Sequence, residues 1–400
     1  MYTGRNDQDS TAPIAILACM VDFSKAFNRI DHNILVTKLS DLGVPGWLLK
    51  IVMAFLSDRR MIVRYQGRES TSKYVPGGGP QGTLLGLLLF LILINDLGFE
   101  DQENNAGDLI TRKNNLKAAN VIHLKFVDDL TLAESINLKE NLEFVPESVR
   151  PLPDSFHAKT GHVLPSQNSQ VFHQLLRTEE YSKKNLMQIN KKKTKVMVFN
   201  PCKAWDFQPE LSLANQELDM VEEMRLLGVV IRSDLKWTSN TEQMVVKAYK
   251  RLWSMRRLKV MGATVDDLKD VFIKQVRSVL ELAVPAWNSA LSQEDIKDIE
   301  RVQKTALHIM LGDSYQSYVN ALDQEVGLES LGARRHKLCL KFAKKSAAHT
   351  KHRNWFKVNM NTVNTRQDKP LYSPVYSNHD RFDRSPLAYL TNLLNDDNKK

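Results

Sequence analysis

Three aspartates raise the question of chemistry in this sequence. Asp22 ends the apolar run "IAILACMV" of residues 14–21, and Asp128 and Asp129 sit side by side in "HLKFVDDLTLAE", residues 123–134. Adjacent carboxylates repel and raise each other's pKa unless a cation sits between them. An aspartate pair in a tight turn is also common for local reasons, because Asp bonds its own backbone and tolerates turn geometry. The pair gains chemical meaning when a third carboxylate meets it. Mg²⁺ takes oxygen ligands and keeps substrate phosphates in its shell. Two such ions close together can activate an attacking hydroxyl and stabilise the leaving oxygen of an in-line displacement.

The elements around these residues must bring them together. The apolar run before Asp22 has strand length, and a strand-like run follows Asp129. Alternation points Asp22 and Asp128 out of their sheets at strand ends, where two strands can join them. "DHNILVTKLSDLG" reads as a helix capped by Asp31, with Leu35, Leu39 and Leu42 on its apolar side and Gly43 as its stop. Pro45 fits the start of a second helix carrying Trp47, Ile51, Phe55 and Leu56. "MIVRYQG" reads as a strand into a turn, with Tyr74 and Val75 as hairpin partner. The loop "VPGGGPQG" leads into "TLLGLLLFLILI", Thr83 to Ile94. That run is shorter than the roughly 18–20 residues that span a bilayer, and a helix apolar all round is expected to be a buried core helix. "KVMVFN" (195–200) and "LLGVVI" (226–231) are strand-like. Residues 99–120 read as a polar loop or insertion, and residues 137–185 have no clear pattern, with Pro151, Pro153 and Pro165 breaking long elements.

After Trp237 the pattern becomes helical. Ser239 to Glu242, Thr264 to Asp267 and Ser292 to Asp295 have the spacing of capping boxes. Each precedes an apolar stripe: Met244, Ala248, Leu252 and Met255; then Leu268, Phe272, Val276 and Val279; then Ile296, Ile299, Val302 and Ala306. The 400 residues are 42% hydrophobic and 25% charged, an ordinary globular composition with room for two or three domains. The formal charge of +9 suits a polyanionic partner. Cys19, Cys202 and Cys339 form neither a zinc pattern nor a disulfide framework, which suggests a reducing compartment. No signal peptide is visible.

Five segments taken together resemble a known family. "VDFSKAFN", "PGGGPQGTLLGLLLF", "FVDDLTL", "INKKKTKVMVFN" and "RLLGVVIRSDLKW" follow the order and approximate spacing of palm motifs A to E of reverse transcriptases, and are most similar to the enzyme of non-LTR (LINE-type) retrotransposons. The resemblance extends over about residues 14 to 345. It implies an α+β fold: a right-hand polymerase palm, an antiparallel sheet with helices on one face, followed by an all-helical thumb. The implied boundaries are the palm at 14–235, after a short lead at 1–13, and the thumb and connection at 236–345; residues 346–400, rich in Asn, Asp, Lys and Arg, read from composition as a polar, poorly ordered tail.

The resemblance also implies roles. Asp22, Asp128, Asp129 and the Phe23 carbonyl are the expected ligands of two Mg²⁺ ions, with Mn²⁺ as a substitute. Phe27 takes the aromatic position beneath the incoming sugar that excludes a 2′-hydroxyl; as a bare residue it reads equally as a core Phe. Gln81 and Gly82 take positions that touch the incoming nucleotide or template, and Lys193 takes the position near the leaving pyrophosphate. Lys191, Lys192 and Lys195 read as a solvated basic face. Leu227 and Gly228 take the hairpin that supports the primer end. Lys247, Lys250, Arg251, Arg256 and Arg257 could follow duplex phosphates. The implied partners are an RNA template, a DNA primer and dNTPs, with no membrane, in the nucleus and cytoplasm.

The chain departs from the family in places. It begins almost at motif A, so the fingers are expected to be largely missing, as are an upstream endonuclease, a Cys/His knuckle and an RNase H signature. Gly86 stands where many relatives have Ser, Leu87 where many have Pro, and Val127 where Ala is commoner. The expected function is RNA-directed DNA polymerisation. The alternative is a truncated, inert retrotransposon relic that at most binds nucleic acid. A different two-metal enzyme, such as a phosphodiesterase, leaves motifs B, D and E unexplained.

Overall fold

The computed structural model describes residues 14–97, 121–144, 162–200, 206–315, 317–350, 352–359, 371–373 and 384–398. The 1–13 lead, the expected insertion at 99–120, Pro151, Pro153, Cys202 and much of the tail lie outside them. The described chain falls into two units, one over Ser10–Glu222 and one over Glu223–Lys400.

The first unit is built on a five-stranded sheet. Its strands are β1 (Ile14–Val21), β2 (Val121–Phe126), β3 (Asp129–Asn137), β4 (Lys195–Phe199) and β5 (Asp219–Met220), in the spatial order β5-β4-β1-β3-β2. The β1–β3, β2–β3 and β1–β4 pairs are antiparallel, as expected, while the short β5 runs parallel to β4. The continuous apolar sequence of β1 suits a central strand. Ala15, Leu17, Cys19 and Val21 point to one face and are buried. On that face lie α1 (His32–Asp41), α2 (Gly46–Leu56), α3 (Leu84–Leu93) and α4 (Gln170–Lys184). Leu35, Leu39, Val52, Leu89, Phe90, Leu93, Val171 and Leu175 form one core with the strand. The α+β architecture with helices on one face is therefore the one that the resemblance implies.

Two elements differ from expectation. Helix α3 is apolar all round but only partly buried: Leu89, Phe90 and Leu93 join the shared core, while Leu84, Leu87, Leu88 and Leu91 stand in solvent. Helix α4 lies in the stretch that gave no pattern. Its apolar contacts, Val171, Leu175 and Tyr181, are diluted by Gln174, Thr178 and Ser182 on the same buried side.

Polar groups lock these helices to the sheet. The ammonium of Lys125 on β2 donates to the carbonyls of Ile94, Asn95 and Leu97 beyond the end of α3. Lys38 on α1 donates to the Leu93 carbonyl at 2.7 Å and pairs with Asp96. A cation at a helix C-terminus satisfies carbonyls that have no intrahelical partner and meets the negative end of the dipole. Burial pulls the Lys125 ammonium below its usual pKa, and Asp96 opposes the shift. Glu134 on β3 is buried, yet it accepts from the Ser169 hydroxyl and from the amides of Gln170 and Val171, so the first turn of α4 balances its charge.

The second unit opens with a hairpin, β6 (Glu223–Leu226) and β7 (Val229–Arg232), so the run 226–231 is two strands around a turn. Its longer helices among the described residues are α5 (Thr238–Val260), α6 (Val265–Val271), α7 (Gln293–Leu311), α8 (Leu331–Ala348) and α9 (Pro386–Asp397). The capping boxes at Thr264/Asp267 and Ser292/Asp295 are both formed. The one at Ser239 is not: α5 starts at Thr238 with no side-chain cap, and Ser239 lies inside it. Leu268, Phe272, Val276 and Leu280 are buried, four residues apart each time. In an α-helix each such step overshoots a full turn by about 40°. The chain instead forms a wider π-helical turn over Phe272–Arg277, which brings Leu280 rather than Val279 fully into the core. Within the tail expected to be poorly ordered, α9 is a formed helix that buries Leu390, Leu393 and Leu394. Its apolar row is hidden in sequence by the surrounding Asn and Asp. Burial pushes the thiols of Cys19 up to about 12 and Cys339 up to about 11, so both are packing residues.

The cap on α4 yields a test. Glu134→Ala leaves the buried Val171 amide and Ser169 hydroxyl, and the part-buried Gln170 amide, without their acceptor and is expected to cost about 3 kcal/mol in urea unfolding. Glu134→Gln, which keeps an acceptor, is expected to cost roughly half as much.

Candidate functional site

The register of β1 against β3 pairs Val21 with Leu130. One step further sets Asp22 opposite Asp129, on the sheet face away from the helices. The β2–β3 ladder ends at Phe126 and Asp129, so Val127 and Asp128 are the two residues of the intervening turn. Val127 takes φ 57°. A β-branched residue in the left-handed region is a steric outlier, and strain of this kind persists only where the surroundings over-determine it. Here the two flanking strands do so.

Asp129 feels the other two carboxylates. Partial burial first, then the charges of Asp128 and Asp22, raise the pKa of Asp129 above its usual value. Asp22 is fixed through its backbone by a turn that precedes β4. The Asn190 amide donates to the Asp22 carbonyl at 2.7 Å, the Ser24 amide donates to the Gln188 carbonyl at 2.7 Å, and the Asp22 amide reaches the Thr194 hydroxyl at 3.4 Å. The same turn brings the Lys193 ammonium to 3.9 Å from an Asp22 carboxylate oxygen. Lys191 instead donates to the Ala214 carbonyl, and Lys195 pairs with Asp219.

The glycine loop lies against the segment after Asp22. Gly79 donates to the Phe27 carbonyl at 2.8 Å and Gly78 to the Ile30 carbonyl at 3.0 Å. Gly78 has φ 77°, and a Cβ there would stand 2.9 Å from the Asn28 and Phe27 backbone. The far side of the loop is held by Arg59, which donates to the carbonyls of Gly77 and Gly78, and by a hydrogen bond between the His32 ring and the Gly78 carbonyl. At Gly86 a Cβ would come within 2.1 Å of the Pro80 carbonyl oxygen, so the glycine at this departure from the family lets the loop fold back on the start of α3. Phe27 stacks on buried Phe90, with ring centroids 4.4 Å apart. Gln81 is exposed and reaches Asn28 at 3.4 Å, and Gly82 is exposed with φ 81° and open space around it.

Asp22, Phe23, Phe27, Gln81, Gly82, Asp128, Asp129 and Lys193 thus all belong to the first unit. Leu227 and Gly228 form the turn of the hairpin in the second unit, with φ 49° and 88°. Four contributors carried no sequence signal. Arg59, Asn190 and Thr194 act through backbone atoms distant in sequence, and Phe90 looks like any residue of an apolar helix.

Among the described residues, no group of three acidic, histidine or cysteine side chains is arranged to hold a metal ion. The residues nonetheless suit a hard divalent cation. Their donors are carboxylate and carbonyl oxygens, their mutual repulsion favours a cation, and Mg²⁺ is commonly held by one or two carboxylates completed by substrate phosphates and water. No helix among the described residues is long and apolar enough to cross a membrane.

Residues 7–152 match the family model described as reverse transcriptase (RNA-dependent DNA polymerase). The chain is 21% identical over 322 residues to a probable RNA-directed DNA polymerase from transposon BS of Drosophila melanogaster, covering 78% of this chain and 31% of that protein. It is 32% identical over 80 residues to the RNA-directed DNA polymerase from mobile element jockey of Drosophila funebris, 20% of this chain and 9% of that one. It is 25% identical over 114 residues to the Pol polyprotein of the type-1 retrotransposable element R2 of Popillia japonica, 28% and 18% of the two chains. The chain therefore spans less than a third of the length of these relatives. A solved telomerase from Candida tropicalis with a fragment of telomeric RNA is similar at a TM-score of 0.35 and 12% identity, over 87% of this chain and 49% of that one.

Two measurements test the turn. Val127→Asn, which tolerates the left-handed region, is expected to raise stability by about 0.5–1 kcal/mol in thermal or urea unfolding, and Val127→Ile is expected not to. Because the Asp129 pKa is raised in the folded state, its contribution is fully present below the unfolded carboxylate pKa and is lost as pH rises through the folded value. Asp129→Asn is therefore expected to be more stable than the parent at neutral pH, with the difference vanishing on acidification below the carboxylate range.

Proposed function

We propose that this chain, a reverse transcriptase sequence of the non-LTR (LINE-type) kind, extends a DNA primer on an RNA template by nucleotidyl transfer from dNTPs. The observation that carries this reading is the strand register that sets Asp22 opposite Asp129 and beside the Asp128 turn. Bound at Asp22, Asp128, Asp129 and the Phe23 carbonyl, two Mg²⁺ ions, or Mn²⁺, would make the primer hydroxyl more acidic and neutralise charge at the reacting phosphate.

The chain's own groups do the rest. Lys193, whose ammonium stands near Asp22, offers a positive charge and a proton to the leaving pyrophosphate. Phe27, backed by the Phe90 ring, is a rigid wall against a ribose 2′-hydroxyl. Gln81 and Gly82 meet the incoming nucleotide, where a missing side chain lets backbone approach the ligand. Leu227 and Gly228 support the primer end. Lys247, Lys250, Arg251, Arg256 and Arg257 neutralise duplex phosphates without reading sequence. Function in the nucleus and cytoplasm follows from retrotransposition.

The test is Mg²⁺-dependent dNTP incorporation on primed RNA. The parent chain is expected to extend the primer, and Asp128→Asn to lose about 100-fold or more. Phe27→Ala is expected to admit ribonucleotides. Equal activity from Asp128→Asn overturns the site assignment. A chain that binds primed RNA without extending it is instead the inert relic. Independently of turnover, Mg²⁺ is expected to raise the melting temperature of the parent, and to do so less in Asp22→Asn.

A further inference from the structure

The hairpin after α2 is an unusual surface. Arg60 pairs with Tyr74 and Met61 with Lys73; further out, Arg64 pairs with Glu69 and Tyr65 with Arg68. The Ser70 amide donates to the Val63 carbonyl at 2.9 Å and joins the two ladders. One extra residue on the returning strand makes a bulge between them. Gln66 and Gly67 take φ 48° and 76°, the backbone of a two-residue hairpin turn. Every residue from Arg60 to Tyr74 is exposed.

One face of this ribbon is divided lengthwise. The register puts Met61, Val63 and Tyr65 on one strand of that face, opposite Lys73, Ser70 and Arg68 on the other. Exposed strands are ordinarily protected by charge and kept free of large apolar groups. Here Met61, Val63 and Tyr65 are 58%, 61% and 72% exposed. A two-stranded ribbon in water is marginal by itself, so its stability does not account for this row.

We propose that this face binds single-stranded nucleic acid, with bases laid against Met61, Val63 and Tyr65 and phosphates along Arg68 and Lys73. Exposed aromatic and apolar groups beside cations are the pattern that holds unpaired strands, because stacking requires a free base face that a duplex hides. The row from Met61 to Tyr65 is about 13 Å long at strand rise, enough for two or three stretched nucleotides. Arg59, at the root of the ribbon, is the residue that grips the Gly77 and Gly78 carbonyls. A strand lying on the ribbon therefore leads to the loop beside the candidate site. That this strand is the template rests on the polymerase reading; the binding does not.

The experiment is fluorescence anisotropy of a labelled 12-nucleotide RNA and of a blunt duplex, titrated with the intact chain at several salt concentrations. Tyr65→Ala is expected to weaken single-strand binding about ten-fold, within the range one stacked base supplies, and Tyr65→Trp to restore it. Arg68→Gln with Lys73→Gln is expected to lower the salt slope by about 1.4. Unchanged affinity in the Tyr65 and the double variants overturns the proposal, as does an equal loss for duplex, which would mark general charge attraction. Failure of primer extension with these binding effects intact removes the polymerase reading and leaves the ribbon assignment standing.

Discussion

Carboxylates facing one another across an antiparallel pair repel, and β1 and β3 carry that repulsion at their shared end. Eight residue pairs, from Ile14 with Asn137 to Val21 with Leu130, hold the register. A slip of one residue would turn Ala15, Leu17, Cys19 and Val21 away from the helix-side core. The apolar core on the helix side therefore dictates where Asp22 stands. The acidic cluster is a consequence of packing that would be costly to undo, and the strained Val127 turn is part of the same constraint.

Around that pair the supports grip main-chain atoms, some through amides and some through side chains such as the Thr194 hydroxyl and the Arg59 guanidinium. Asn190 and Thr194 reach the main chain of Asp22, and the glycine loop bonds the carbonyls of Phe27 and Ile30. Backbone anchors leave the nearby side chains available for a ligand. They also explain the glycines: Gly78 and Gly86 sit where a Cβ would strike main-chain atoms, and no movable side chain can yield there.

This arrangement explains which features were legible in the sequence. The apolar run of β1, the carboxylate at its end and the aspartate pair between strands are local patterns, and register converts them into geometry. Asp31, Thr264 and Ser292 act as caps because a cap depends on residues only three positions apart. Ser239 had the same spacing, but the helix begins a residue earlier. Helix α4 was hidden because its buried side includes Gln174, Thr178 and Ser182, which break the apolar period, the two hydroxyls bonding back to carbonyls of the same helix. The grip of Arg59 on Gly77 and Gly78 was illegible because it joins a side chain to carbonyls eighteen residues or more away.

The π turn at Phe272–Arg277 has a consequence for how this segment tolerates change in length. Its buried row keeps phase through a wider winding, in effect one residue more than an α-helix needs over the same span. Deleting a single residue there would let the segment relax to ordinary winding, whereas adding one would rotate everything beyond it by about 100°. The core made by Phe272, Val276 and Leu280 is therefore asymmetric in its tolerance: forgiving of loss and intolerant of gain.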